Sequence, residues 1–277
     1  SFRVANSRCR ILIARLTPIA DRHLRFESGT RDWHDEIQLA IENIAKYAGV
    51  QLIDFHAPLY PYPFMLPDAV HPNVEGAEIL AKTVYEGITG DFGGLRMSPL
   101  YTDNMVLQHG KPLTIQGTVS IAHQKQKVVT GMDGKWSVTL SSLKAGGPYT
   151  LVVSSGKQKL TYGNVLAGEV WLCSGQSNME FYLNWSATAK RDVAKAANDN
   201  IRLFDMKARW RTDAVEWNAS VLDSLNHLQY YKDTEWTVCS PQTAGNFSAV
   251  AYYFGKMLQD SLQVPVGLIC NAIGGSP

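Results

Sequence analysis

The sequence predicts an α/β protein interrupted by a small all-β module. Towards both ends of the chain, apolar strand-like runs alternate with stretches whose apolar residues recur every three to four positions. That alternation is what helices layered on a parallel sheet produce. Between them, residues 93–167 hold short strand-like runs divided by turn signals, with no helical period.

Bulk properties narrow the class. A chain of 277 residues is long enough for two or three domains, and 45% hydrophobic with 18% charged residues is ordinary for globular proteins. A net charge of +1 gives no argument for a nucleic-acid or membrane partner. No apolar run approaches the roughly 20 residues of a membrane span. No signal peptide opens the chain, and Ser1 is not a natural start, so the natural N-terminus is expected to lie further upstream. Cys9, Cys173, Cys239 and Cys270 lack metal-ligand spacing, and buried free thiols are expected for the three that sit in or beside apolar strand-like runs.

In order, Ile11–Ala14 reads as a core strand, followed by a polar loop through Asp21, Arg22, Glu27 and Gly29. Trp33, Ile37, Ile41, Ile44 and Ala48 form the apolar side of a helix closed by Gly49. Gln51–Phe55 is a second strand. After a proline- and aromatic-rich loop, Glu75–Ile88 is a helix with Ile79, Leu80, Val84 and Ile88 inward. Gly93-Gly94 marks a linker. Strands are then expected at Leu113–Gln116, Lys127–Thr130, Trp136–Leu140 and Tyr149–Val153, with turns at Asp133-Gly134 and Gly146-Gly147-Pro148. This spacing predicts a β-sandwich. Val170–Cys173 reads as a buried strand, Ile201–Phe204 as another, and Trp236–Pro241 as a short extended piece. Ser248–Leu262 is a helix with Val250, Phe254, Met257 and Leu258 on its apolar side, and Val264–Cys270 is a further buried strand.

Three short stretches can carry chemistry. Gly175-Gln176-Ser177-Asn178 falls where the strand ending at Cys173 turns into a helix, at the sheet edge where α/β folds keep ligands. Ser177 can be a nucleophile there, with following N–H groups stabilising an oxyanion and Gly175 leaving room for a carbonyl; a plain Ser/Asn helix cap would produce a similar turn. Asp68 and His71 stand three residues apart in a turn before a helix, so the carboxylate can orient the imidazole. An isolated surface Asp and His would look the same. Gly274-Gly275 ends the last strand, where backbone N–H groups can approach a ligand or merely turn the chain. His23, His34, His56 and His227 match no motif.

The string GEVWLCSGQSNM, residues 168–179, resembles the serine block of the sialate O-acetylesterases, a branch of the SGNH (GDSL-like) hydrolases. Residues around LPDAVHPNVEGAEIL resemble the C-terminal block of SGNH hydrolases, and that resemblance gives Asp68 and His71 the rest of a catalytic triad. Residues 93–167 resemble the β-domain preceding the serine block, although the turn between Gly117 and Ile121 is shorter than is usual in the family. FSAVAYYFGKMLQ…VPVGLICNAIGGSP resembles the part of the family that supplies a second oxyanion-hole donor, here Gly274 or Gly275. The fold implied is α/β, with flavodoxin-like three-layer SGNH segments at 1–92 and 168–277 flanking a β-sandwich at 93–167. The function implied is a serine esterase removing O-acetyl groups from a sugar, a sialic acid by resemblance. Catalytic Ser177, His71 and Asp68 are joined at the substrate by Gly175, Gln176, Asn178, Gly274 and Gly275, with no metal or cofactor. An extracytoplasmic location follows from the same resemblance. The competing readings are an esterase for other acetylated sugars such as xylan and a non-catalytic glycan-binding protein.

The blocks stand in reverse of an SGNH domain, with Asp68 and His71 preceding Ser177. The simplest account is a fragment of a larger protein with tandem hydrolase domains, so that these residues serve two sites. A circular permutation joining both segments into one domain is the alternative.

Overall fold

The structure is a computed structural model describing residues 10–20, 28–115, 119–121, 123–131, 134–210 and 217–275. It falls into two compact units. The first is Ser1–Gly93 with Thr130–Lys135 and Asn226–Leu228, and the second holds the rest.

In the first unit, β1 (Leu12–Ala14) and β2 (Gln51–Ile53) pair in parallel, joined through helix α1 (Ser28–Ala48). Helix α1 starts earlier than expected, because Ser28 and Gly29 belong to it and not to the preceding loop. It ends at Gly49, whose φ of +60° suits glycine. The apolar row Trp33, Ile37 and Ile44 does not face the core: Trp33 is 72% exposed, while Gln38 and Ala45 are buried. The physical reason lies just past β1. There the Gln38 amide pairs with both backbone groups of Leu16, accepting from its N–H at 2.9 Å and donating to its carbonyl at 2.8 Å. A buried backbone needs such partners, so a polar side chain takes the inner position. Helix α2 (Val74–Thr89) is capped by Asn73, which accepts from Gly76 N–H, and closed by Gly90 in the left-handed region. Ile79 and Leu80 pack on a core of Leu59, Met65 and Leu66, whereas Ile88 is exposed.

The second unit is built around one eighteen-residue strand. Besides β3 (Val106–Gln108), β4 (Leu113–Ile115), β5 (Val119–Ile121), β6 (Gln124–Gln126) and β7 (Val138–Leu140), it holds β8 (Gly146–Ser155) and β9 (Gln158–Gly175). The first half of β9 pairs antiparallel with β8, which pairs with β5 and on to β6. The separate pair β4–β7 completes the second layer: Val138 and Leu140 share a core with Ile121, Leu151, Val153 and Val165. The expected strand at Lys127–Thr130 is absent, its place taken by β6 three residues earlier. Gly146 and Gly147 lie inside β8 at an irregularity in its register, not in a turn. Gly134 N–H donates to the Gly131 carbonyl at 3.0 Å, whereas Asp133, Gly117, Cys9, His23, Asp21, Arg22 and Glu27 lie outside the described residues.

The second half of β9 belongs to a parallel sheet. β10 (Asn198–Asp205) and β12 (Val266–Ala272) run parallel with each other, β12 runs parallel with β9, and β11 (Thr237–Cys239) closes the far edge antiparallel. No chain break separates the β-rich part from the α/β part, since β9 continues through residues 167 and 168. Where it crosses, a Cβ on Gly168 would stand 2.0 Å from the Pro265 carbonyl oxygen. Gly168→Ala is therefore expected to destabilise this unit by about 1–3 kcal/mol or more, as overpacking against backbone does. Denaturant unfolding measures it, and an unchanged midpoint would contradict the close approach.

Two apolar faces differ from expectation. Leu172 is 64% exposed and Trp171 also reaches solvent, because β9 beyond Gly168 pairs on one side only among the described residues. Helix α3 (Ala249–Leu262), capped by Ser248, buries Ala249, Ala251, Tyr252, Gly255 and Gln259. Its Val250, Phe254 and Met257 row is exposed, with Phe254 meeting Trp171 edge-to-face. Small residues face the sheet because a Cβ on Gly255 would already meet Leu268 at 2.5 Å. Cys173, Cys239 and Cys270 are free and buried, and burial pushes the thiols of Cys239 and Cys270 up to about 12. Among the described residues, no helix is long and apolar enough to cross a membrane.

Candidate active site

Parallel register brings the two glycine-bearing strand ends together. Glu169 to Gly175 pair in step with Val266 to Ala272, so Gly175 lies beside Ala272 and both chains leave the sheet at one edge. Ile273 N–H extends this ladder to the Gly175 carbonyl at 3.3 Å. After Gly175, the chain turns at Gln176 into a short helix, Ser177–Glu180, which opens on Ser177. After Ala272 it turns through Gly274 and Gly275, the latter at φ +81°. A Cβ on Gly274 would lie 3.8 Å from Ser177 Oγ, so the glycine turn and the serine hydroxyl adjoin.

Gly175, Gln176, Ser177 and Asn178 are exposed and line a cavity of about 400 Å³ with Met179 and Val250. Ser177 Oγ–H donates to Gln176 Oε1 at 3.2 Å. Gly274 N–H donates to Glu180 Oε2 at 2.7 Å. Glu180 directly follows the quoted serine string, but neither its sequence position nor its spacing announces a bond to residue 274.

A second cavity of about 550 Å³ reaches Gly274 and Gly275. Its walls carry Lys207, Arg209 and Lys232, the carboxylates Glu180 and Asp205, and the rings of Tyr182, Trp185 and Trp210. Burial raises the Asp205 carboxyl above its ordinary range, opposed by Lys207 at 3.2 Å. Lys207 also stands 5.3 Å from the Tyr182 ring centroid. None of these wall residues belongs to a recognisable motif, and only tertiary folding gathers them. Among the described residues, no histidine lines either cavity.

Asp68 and His71 form the expected pair within the first unit. Asp68 Oδ2 accepts from His71 Nδ1 at 2.6 Å, while Oδ1 accepts the backbone N–H groups of His71 and Val70 at 2.7 and 3.1 Å. Ala69, between them, has φ +76°, which folds the DxxH turn tightly enough for these bonds. The His71 side-chain bond, then the two backbone bonds, hold the Asp68 carboxyl well below the usual carboxylate range. The His71 ring is 81% exposed, so its Nε2 edge is open to a reacting group. Among the described residues, no cluster of three or more His, Cys, Asp or Glu side chains could hold a metal ion.

No family model matches the sequence. The chain is 29% identical over 210 residues to the sialate O-acetylesterases of Homo sapiens and Pongo abelii, which covers 66% of this chain and 38% of theirs. The Rattus norvegicus sialate O-acetylesterase is 34% identical over 167 residues, covering 56% of this chain and 28% of its own. The crystal structure of a carbohydrate acetylesterase from Xanthomonas citri matches at 32% identity with a TM-score of 0.56, over 66% of this chain and 41% of that one. The chain thus spans about 38% of the length of the first curated relatives it matches. That likeness, with the parallel sheet, shows an α/β fold of the SGNH-hydrolase kind.

Proposed function

We infer that this chain, a relative of the sialate O-acetylesterases, is a carbohydrate O-acetylesterase using a serine nucleophile. The observation that carries this is the placement of Ser177 at the carboxyl end of β9, beside the Gly274-Gly275 turn. Ser177 Oγ attacks the acetyl carbonyl carbon while its proton passes to a histidine base. The resulting oxyanion is held by the Ser177 N–H and by a glycine N–H. Because Gly274 N–H is committed to Glu180, the second donor is assigned to Gly275. The histidine then protonates the departing sugar oxygen, and an acetyl-enzyme remains. Water, deprotonated by the same base, releases acetate and restores Ser177. Asp68 and His71 have the geometry of such a base and its orienter. Acetate release from O-acetylated sugars tests the activity, and binding of those sugars without release would favour a glycan-binding protein.

The larger cavity supports sialic acid as the sugar. Lys207, Arg209 and Lys232 suit a carboxylate, and Tyr182, Trp185 and Trp210 suit the apolar face of a sugar ring. Replacing Arg209 and Lys232 by methionine is expected to raise KM for an O-acetylated sialic acid by about tenfold or more, the worth of a charge-assisted hydrogen bond. Hydrolysis of a small neutral acetate ester should be little changed. Equal effects on both substrates would favour an esterase for neutral acetylated sugars.

A further inference from the structure

We propose that Glu180 is a positioning residue, whose side-chain oxygen clamps the turn after β12 against the nucleophile. This rests on the serine-esterase reading and adds a residue which that reading does not use. The short helix carries Ser177 at its first residue and Glu180 at its last, three positions apart and hence on neighbouring sides of one turn. Glu180 is itself fixed by its N–H, which donates to the Gln176 carbonyl at 2.9 Å. From there its carboxylate crosses 94 positions of sequence to accept Gly274 N–H at 2.7 Å. A longer bond from Ile273 N–H to the Gly175 carbonyl, at 3.3 Å, also joins the two strand ends.

The fit leaves no slack. A Cβ on Gly274 would lie 2.5 Å from Glu180 Oε2 and 3.8 Å from Ser177 Oγ, so carboxylate, turn and hydroxyl share one small space. What the clamp needs is an acceptor oxygen, not a charge. A negative charge here would oppose an oxyanion forming nearby, whereas an amide oxygen would hold the Gly274 N–H without that penalty.

The test compares Glu180→Ala and Glu180→Gln in the full chain, using kcat and KM for a chromogenic acetate ester and amide hydrogen exchange at Gly274. In the unmodified protein the Gly274 amide should exchange slowly. Glu180→Ala should speed that exchange and lower kcat by about 100-fold, the scale expected when a reacting group is misplaced by roughly 1 Å, with KM little changed. Glu180→Gln should keep the amide protected and kcat within a few-fold of the original. Fast exchange in the unmodified protein would overturn the clamp, whatever the variants do. So would unchanged exchange in Glu180→Ala, or a Glu180→Gln enzyme as slow as Glu180→Ala, which would make the charge the essential feature. Exchange needs no turnover, so failure of the clamp is read separately from failure of the esterase reading, which Ser177→Ala tests.

Discussion

Ser177→Ala is expected to lower hydrolysis at its site by about 10³-fold or more, the scale seen when a serine nucleophile is removed. The hydroxyl is the atom that becomes bonded to the acetyl carbon, and the side chains that flank it in the turn cannot substitute for it. Gln176 and Asn178 offer amides, which are poor nucleophiles, and the nearby thiol of Cys173 is buried with its acidity suppressed by burial. Folding should be nearly unaffected, because Ser177 is exposed and its described side-chain bond is to its neighbour Gln176. The rate is best read in a His71→Ala background, which silences any site that the Asp68–His71 pair serves. An organophosphonate adduct on the peptide containing Ser177, found by mass spectrometry, gives a second reading. A variant that hydrolyses acetate esters as fast as its parent would remove Ser177 from the mechanism.

How much was legible in the sequence depended on the kind of signal. The two strand ends were readable to within two residues, as Cys173 for Gly175 and Cys270 for Ala272, because apolar runs followed by glycine mark the ends of parallel strands. The DxxH turn was readable because both partners of its hydrogen bond lie within three residues. The buried faces of α1 and α3 were not. Each helix carries two candidate stripes, and the conspicuous one, Trp33-Ile37-Ile44 or Val250-Phe254-Met257, is exposed. Apart from Tyr252 on α3, the packing stripe consists of Ala, Gly and Gln, suited to close approach and to pairing buried backbone, and such residues have little hydrophobic signal. The clamp from Glu180 to Gly274 and the cationic wall of the larger cavity were invisible for another reason. They join residues far apart in sequence: the register of β9 with β12 brings Glu180 to Gly274, and that of β10 with β12, with the Lys232 N–H bond to the Lys207 carbonyl, brings the cations to the same edge.

His71→Ala is expected to abolish hydrolysis at the site its imidazole serves, again by about 10³-fold or more, and to leave adduct formation at Ser177 intact. This follows from the proposal that the two belong to separate sites, made because Asp68 and His71 precede Ser177 where a single SGNH domain has the reverse order. Uncovered apolar faces within each unit support it. Trp33 and Tyr47 are exposed on α1, and Leu172 is exposed on the stretch of β9 beyond Gly168, which among the described residues is paired on one side, as expected where part of a layered domain is not in place. Asp68→Asn should follow His71→Ala in the site it affects, since an amide cannot stabilise the imidazolium formed during acyl transfer. The decisive comparison is a cycle of Ser177→Ala, His71→Ala and the double variant in the full-length protein. Two sites predict that each single variant leaves the other site's activity, so that only the double variant loses both. A single site predicts that either change alone is as damaging as the pair, because members of one triad act as a unit. Loss of the Ser177 adduct on replacing His71 would place base and nucleophile in one site and end the two-site proposal.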